Sequence, residues 1–438
     1  MRVCHYEAKM ALGECVSLPL LDALMDRFQR KHSSKIQLNS TLIVGNQHLL
    51  PSSRSLVQSL LSLGIPPANI VLTGKVYSCR PDVVAWLRRN KVHVMSPSGE
   101  LLLPGFLAER HQSDLGLFWH HIEMAVRSKK VNRIILLDDG GYGLLTMPTA
   151  LCTTGIVTVV EQTMSGLRLG DNGARLRRLN LAASAAKVTL ESPFIAEAIA
   201  RSVSTKALGL RTQIGIVGLG NVGSSLGRCF ESMGHPVCFF DKKRDYSPMK
   251  GKINRLGSLK ELCETCSVVV GCTGEDIFSD AEWLGSIGKE VTLISASSQD
   301  IEFRTLLKKA PRVSVQPGAD ITVSVGNTVY RVLFSGFPIN FSGSSEIEQP
   351  RDIQLTRALL LGSVLQALSC DGPASSRGDW STAEQLNDAL QRFVVRTWSD
   401  LTGEPNIGKG DFESLQWIKE NSCGVAVHCE ELFTVFGA

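Results

Sequence analysis

The 438-residue sequence lacks any stretch approaching the roughly 18–20 uninterrupted apolar residues of a membrane-spanning helix. Its slightly positive mean hydropathy of +0.06 is therefore no argument for a membrane protein. Charge of one sign is also scarce: 46 Lys+Arg against 42 Asp+Glu leave +4, with no long basic run. That removes the electrostatic case for a dedicated nucleic-acid binder. There is no internal repeat and no low-complexity segment. The first residues, Met1-Arg2-Val3-Cys4-His5-Tyr6-Glu7, lack the basic-then-apolar pattern of a secretory signal.

Cysteine is plentiful at 12 residues, but no framework spacing links them, and several, such as Cys238 and Cys272, sit in apolar runs. They are expected to be buried, reduced thiols of a cytoplasmic protein. Cys263-x-x-Cys266 stands alone in a helical stretch before a strand, and His428-Cys429 has no second pair at metal spacing. No metal is expected.

The length suggests two or three domains. An amphipathic helix from Leu18 to about Lys31 opens an alternation of strands and helices. Leu42–Val44, Ile70–Leu72, Val92–Val94 and Arg133–Leu137 read as strands, with helices over Ser53–Leu63, Pro81–Arg89 and through His120–Val126. A second α/β stretch from Ile214 to about Val332 carries strand-like runs at Ile214–Val217, Val237–Phe240, Val268–Gly271 and Val291–Ser295. Such alternation predicts parallel sheets covered on both faces. Ile353–Leu368, Ala383–Leu401 and Phe412–Glu420 read as helices, and Pro373–Gly378 and Gly403–Gly410 as loops.

Ile214–Val217 runs into Gly218-Leu219-Gly220-Asn221-Val222-Gly223, and a helix follows. This is the strand–turn–helix context that a dinucleotide fingerprint requires. Gly218 permits the tight turn, Gly220 lets backbone approach a pyrophosphate, and Gly223 lets the helix pack on the strand. The next strand ends at Asp241, about 20 residues on, where an acid binds the ribose hydroxyls of NAD. Lys242, Lys243 and Arg244 follow it and leave NADP as a lesser option. Val268–Gly271 leads to Cys272-Thr273-Gly274, a small turn at the carboxyl edge of the sheet.

With these motifs in order, the chain resembles the S-adenosylhomocysteine hydrolase family over roughly residues 18–370. The resemblance rests on His48 after a strand, on Ile134-Ile135-Leu136-Leu137-Asp138-Asp139-Gly140-Gly141, on Gly155-Ile156 and Glu161-Gln162-Thr163-Met164-Ser165-Gly166, and on Lys187 ahead of the glycine fingerprint. It implies an α/β, two-domain fold with a Rossmann NAD-binding domain inserted into a discontinuous α/β substrate domain. The expected parts are residues 1–200, the N-terminal part of the substrate and catalytic domain, 201–345, the NAD-binding domain, and 346–438, a helical part completing the first. It further implies an NAD-dependent hydrolase or lyase that transiently oxidises a sugar hydroxyl of S-adenosylhomocysteine or a related nucleoside-like or thioether substrate. A homo-oligomer (dimer or tetramer) with a small-molecule substrate is expected.

By that resemblance His48, Asp139, Lys187 and Glu191 are catalytic and Gln162 binds substrate. Thr163, Ser165, Gly218, Gly220, Asn221, Val222, Gly223, Asp241, Thr273, Gly274 and Asn340 bind the cofactor. Each has a plainer reading. His48 suits a cap or loop, Asp139 a turn, Lys187 a snorkelling surface position, and Glu191 an i,i+4 ion pair with Lys187. Of the adjacent Asp138 and Asp139, which point opposite ways in a strand, Asp139 is taken as ligand-facing.

The departures are specific. Gln162 stands for the family's second glutamate, Leu50 and Ser52 for its adenine-gripping threonine and glutamate, and Tyr142 for a third aspartate. Glu191-Ser192 replaces Asp-Asn, Ser297-Ser298-Gln299-Asp300 replaces Gly-His-Phe-Asp, and Gly343-Ser344-Ser345-Glu346 stands where Gly-His-Pro is expected. The Lys/Tyr tail has no counterpart in Glu430 to Ala438. Two alternatives stay open: a catalytically degenerate NAD-binding regulatory or partner-binding homologue, and an ordinary net dehydrogenase.

Overall fold

Runs of β-branched and aliphatic residues, punctuated by Gly, Pro and Asn, set the strands of a computed structural model of the chain. It describes residues 16–31, 36–97, 101–128, 130–169, 176–207, 209, 211–243, 254–342, 349–369, 380–403 and 429–437. The strands among these, in chain order, are β1 (Thr41–Asn46), β2 (Ile70–Thr73), β3 (His93–Met95), β4 (Arg133–Asp138), β5 (Val157–Glu161), β6 (Arg177–Asn180), β7 (Ile214–Val217), β8 (Val237–Phe240), β9 (Val268–Gly271), β10 (Glu290–Ser295), β11 (Ile321–Val325), β12 (Thr328–Val332) and β13 (Glu384–Gln385).

The chain divides into two units. One takes Met1–Pro97, Gln112–Glu191 and Gln349–Ala438; the other takes Ser98–His111 and Ser192–Glu348. The main boundaries thus fall at 191/192 and 348/349, where the sequence reading put them at 200/201 and 345/346.

The first unit holds a seven-stranded sheet in the order β13-β6-β5-β4-β1-β2-β3. Every neighbouring pair is parallel. Chain order therefore steps outward from β1 through β2 to β3 on one side, then restarts at β4 on the other. The strand order reverses between β1 and β4, which makes that crevice the topological switch point of the sheet. The register pairs Asn46 with Asp138, so the two strands end level.

The helix Pro350–Ser369 is buried from Asp352 to Leu368 except at Thr356, and its second half, from Ala358, is mostly apolar, as a helix covered on every side must be. The helix Pro51–Leu63 ends at Gly64, whose φ of +106° suits glycine. The helix Asp388–Thr402 starts on Asn387, whose side chain accepts from the Leu390 N–H, 3.1 Å away.

The second unit holds a six-stranded sheet, β11-β12-β10-β9-β7-β8. It is parallel except for the β11–β12 hairpin. Its switch point lies between β7 and β9. The helix Ser192–Ala207 packs on it through Ile199 and Val203, against Ile214, Ile216 and Leu226. Within this unit the excursion Ser98–His111 is tied down twice. Leu102 and Val315 exchange two backbone hydrogen bonds of 2.8 Å, and the Leu107 N–H donates to Asp300 Oδ2 at 3.2 Å.

The structure adds strands that the sequence reading passed over: β5, β6, β13 and the β11–β12 hairpin. The helix read from Ala383 starts at Asp388, because Glu384 and Gln385 pair as β13 with Leu179 and Asn180. The helix read at Phe412–Glu420 and the loop at Pro373–Gly378 lie outside the described residues, as do Arg244, His428 and Gly343–Glu346. Cys263 and Cys266 are buried in the apolar core of the second unit, and burial pushes the Cys263 thiol up to about 12. Cys429 is disulfide-bonded, which corrects the expectation that all the cysteines are reduced. No helix among the described residues is long and apolar enough to cross a membrane.

Burial raises the Asp300 carboxyl from 3.8 to about 6. A raised folded-state pKa adds stability below the unfolded pKa and loses it as pH climbs through the folded one. Stability contributed by Asp300 should thus be lost between about pH 4 and pH 6, amounting to about 3 kcal/mol. Asp300→Asn keeps the acceptor for Leu107 and removes the titration. Urea melts should show wild type and variant alike at pH 4, and the variant the more stable at pH 7.5.

Candidate functional site

In the first unit, four parallel strands deliver polar residues to one carboxyl edge. β1 ends in Asn46-Gln47-His48, β2 in Thr73-Gly74-Lys75, β4 in Asp138-Asp139-Gly140-Gly141 and β5 in Glu161-Gln162. The two aspartates diverge as adjacent strand residues do. Asp138 turns to structure: its Oδ1 accepts from Asn46 Nδ2 at 3.2 Å and the Gly143 N–H at 3.1 Å, and its Oδ2 from the Leu144 N–H at 2.7 Å. It caps the one-turn helix Tyr142–Leu145.

Asp139 turns to chemistry. Its carboxylate accepts from Lys75 Nζ and from Gln162 Nε2, and His48 Nε2 lies 3.4 Å from its Oδ2. The other ring nitrogen, His48 Nδ1, is 2.5 Å from Ser78 Oγ. The His48 ring also tilts against Tyr77, with centroids 5.8 Å apart. Gln162 reaches Gln47 Oε1 at 3.4 Å, and Gln47 Nε2 donates to the Leu137 carbonyl at 3.0 Å. The His48 side chain keeps 15% exposure, while Asp139 keeps 6% and Lys75 only 2%.

The charges here follow from burial and neighbours. Burial alone would raise the Asp139 carboxyl, but the Lys75 ammonium, and after it His48, hold it below the usual carboxylate range. Burial likewise works against the Lys75 charge, yet Asp139 first, with Tyr77 and Glu161 adding to it, holds the ammonium above the ordinary lysine range. Burial raises Asp138. Burial and then the Asp138 charge raise Glu161 well above the usual glutamate value. Glu161 Oε1 accepts from the Gly140 N–H (3.3 Å), the Thr163 N–H (2.7 Å) and Thr163 Oγ1 (2.6 Å). Gly166 leaves the space this needs, since a Cβ there would stand 2.2 Å from Glu161 Cδ.

Of the residues expected to act on substrate, His48, Asp139 and Gln162 come together at this edge. Lys75 and Ser78 join them and were not singled out in the sequence, although Lys75 follows a strand at the same edge. Thr163 and Ser165, expected as cofactor ligands, lie in this unit and are hydrogen-bonded to one another at 3.2 Å. Lys187 pairs with Glu191 in a π-helical turn, and Glu191 Oε1 accepts from Thr356 Oγ1 at 2.6 Å. Both the expected catalytic reading and the plainer ion-pair reading of these two residues predict that contact.

The second unit carries the glycine loop at its own switch point. Gly218 has φ +97°, and a Cβ there would stand 3.0 Å from Thr273 Cγ2 and 3.1 Å from the Cys272 carbonyl carbon. The loop therefore lies directly on the turn after β9. At Gly223 a Cβ would sit 1.9 Å from the Gly218 oxygen. Gly220, at the start of the helix Asn221–Ser232, has nothing within 4 Å of such a Cβ. Val222 packs on the core beneath. Asp241 Oδ2 accepts from the Leu219 N–H at 2.6 Å and its Oδ1 from the Lys243 N–H at 2.8 Å, so the carboxylate is held beside the loop. Asn340 lies in the turn Ile339–Phe341, placed beside the end of β10 by the Ser295–Pro338 bridge.

A buried residue absent from the sequence reading, Glu302, organises the β9 turn. Its Oε1 accepts from Thr273 N–H and Oγ1 at 2.9 and 2.8 Å, and its Oε2 from the Gly274 N–H at 2.9 Å. Gly271 makes room for it: a Cβ there would be 2.3 Å from Glu302 Cγ. Open backbone at a helix N-terminus, with a fixed carboxylate at the end of the next strand, fits a dinucleotide. The second unit has the Rossmann-like, dinucleotide-binding fold.

No family model matches the chain. Two curated proteins of Mycobacterium tuberculosis, one each from strains CDC 1551 and H37Rv and both named only as uncharacterized, are 27% identical over 355 residues, covering 80% of this chain and 68% of theirs. Among solved structures, the NADPH-dependent glyoxylate/hydroxypyruvate reductase of Sinorhizobium meliloti is 12% identical at a TM-score of 0.38, covering 77% of this chain and 96% of that one. A D-lactate dehydrogenase from a Sporolactobacillus species is 13% identical at a TM-score of 0.32, covering 77% and 98%. A D-isomer specific 2-hydroxyacid dehydrogenase of Lactobacillus delbrueckii, with NAD bound, is 12% identical at 0.26, covering 59% and 71%. These neighbours are dehydrogenases, not adenosylhomocysteinases. The resemblance to the S-adenosylhomocysteine hydrolase family is corrected accordingly: none of these neighbours is a member of it, and hydrolase activity has no support among them.

The close approach at Gly223 has a measurable consequence. Gly223→Ala should cost about 2–3 kcal/mol in chemical denaturation, because the methyl group meets backbone that cannot give. A loss under 0.5 kcal/mol would show that the helix can shift freely.

Proposed function

We propose that the chain is an NAD-dependent oxidoreductase acting on a hydroxyl group, or in reverse on the carbonyl, of a small polar molecule. NAD, when bound by the glycine loop of the second unit, supplies the hydride acceptor. Asp241 is placed to accept hydrogen bonds from the adenosine ribose and to repel a 2′-phosphate, which favours NAD over NADP. The open backbone at Gly220 supplies N–H donors to the pyrophosphate.

Oxidation of an alcohol also releases a proton, and the first unit has a group to take it. The observation that carries the reading is His48 against the buried, ionised Asp139 at the switch point of a parallel sheet. Ligands collect at that position in open α/β sheets. With Nε2 facing Asp139, which orients the ring and stabilises the imidazolium, the nitrogen left to take a proton is Nδ1, and the proton would reach it through the Ser78 hydroxyl that contacts it. Gln162, donating to the same Oδ2, and Lys75, on Oδ1, hold the carboxylate rotamer.

Two variants separate these roles. Gly220→Ala should fold like wild type, since its Cβ meets nothing, and should bind NADH about tenfold more weakly by fluorescence titration. His48→Asn should bind NADH within twofold of wild type and lose about 100-fold or more in kcat/KM on whichever hydroxy compound gives NADH absorbance. Unchanged turnover in His48→Asn would contradict the proton-transfer role. Tight NADH binding with no turnover across hydroxy acids, sugars and polyols would favour a regulatory dinucleotide binder.

A further inference from the structure

Lys75 is buried to 2% and is in direct contact with Asp139 Oδ1, while His48 approaches the other oxygen, Oδ2, at 3.4 Å. One carboxylate is therefore shared by two cationic groups, one permanent and one titratable. A lysine packed against a carboxylate in a dry site usually serves stability alone, and its removal leaves an unpaired buried charge. Here the carboxylate has a second client, so the lysine also governs how strongly that client holds its proton.

We propose that Lys75 is a positioning residue that sets the proton affinity of His48 through Asp139, keeping the imidazole ready to give up its proton near neutral pH. The inference rests on the acid–base reading of His48, but its test does not require turnover.

The reasoning is electrostatic. An imidazole facing a lone buried carboxylate holds its proton to well above the ordinary histidine range. With Lys75 in place the carboxylate is already neutralised, and only a residual attraction reaches His48. Gln162, which donates to the same oxygen that faces His48, draws off more of it. The other ionisable groups at this edge do not substitute for Lys75. Asp138 spends both oxygens on Asn46, Gly143 and Leu144. Burial and the Asp138 charge raise Glu161 well above the usual glutamate value, and Tyr77, which tilts against the His48 ring, acts with Asp139 on the Lys75 charge and supplies no cation of its own. The sequence supports the placement: Gly74-Lys75 follows β2 directly, and β2 is the neighbour of β1, which delivers His48.

The test follows the His48 imidazole by NMR of the full chain labelled at histidine, with its signal assigned by His48→Asn. In Lys75→Met the midpoint of His48 titration should rise by about one pH unit or more. In Lys75→Arg it should stay within about 0.3 of wild type. An unchanged midpoint in folded Lys75→Met would overturn the proposal and leave Lys75 a packing residue. Should Lys75→Met not fold, Lys75→Gln, which can still donate a hydrogen bond to Asp139 but carries no charge, decides the matter: its His48 midpoint should rise likewise, and a midpoint equal to that of wild type would overturn the proposal. Failure of NADH binding or of turnover would count against the oxidoreductase reading and leave these titrations interpretable.

Discussion

A carboxylate that is withdrawn from water and still ionised must be matched by a cation, and Asp139 is such a group. Its pairing with Lys75 constrains everything at the carboxyl edge of the first sheet. β4 must end level with β1 and near β2, as the Asn46–Asp138 and Asn46–Thr73 pairings make it do. The backbone beyond Asp139 must turn at once, which Gly140 and Gly141 allow with φ of +100° and +78°. The neighbouring Asp138 must be satisfied separately, and the one-turn helix Tyr142–Leu145 does so. Glu161, raised well above the usual glutamate value by burial and the Asp138 charge, is held by the Gly140 and Thr163 donors. The only one of these groups left with appreciable exposure is His48.

The second unit solves a different problem with backbone rather than charge. Its loop leaves N–H groups free at a helix N-terminus and clears the space in front of them. Gly218 and Gly223 are there because carbonyl oxygen and the β9 turn occupy the places where a Cβ would go, while Gly220 is there because a ligand would. Buried Glu302 does for the β9 turn what Asp138 does for the β4 turn, collecting otherwise orphaned N–H groups beneath a surface meant to receive something. In both sheets the polar groups that shape the site are buried, and the groups offered to a ligand are few.

Much of this was legible in the sequence. Long apolar runs such as Arg133–Leu137 and Ile214–Val217 read as buried strands because both faces of a parallel sheet are covered, and the glycine loop declared itself by spacing. β6 did not, because Arg177 and Arg178 fill half of it. Their burial depends on partners far along the chain: Glu384, bound by Arg177 at 2.6 and 2.9 Å, and Trp380, whose ring lies 5.9 Å from the Arg178 guanidinium. The β11–β12 hairpin carried a signal, alternation around Gly326-Asn327, that was overlooked in a stretch read for parallel strands. Lys75 and Glu302 had no local signature at all, since what makes each matter is a contact made across the sheet. The family resemblance failed for a related reason. Short glycine- and aspartate-containing strings recur at strand ends wherever α/β sheets bind ligands, so their order along a chain conveys architecture more firmly than activity.

The account turns on a dinucleotide held by the second unit, and native mass spectrometry of the full chain titrated with NAD tests this most directly. One NAD should bind per chain, and NADP more weakly, since Asp241 at the end of β8 would lie beside the ribose of a bound dinucleotide. A chain that stays free of NAD at millimolar concentrations while remaining folded would contradict it.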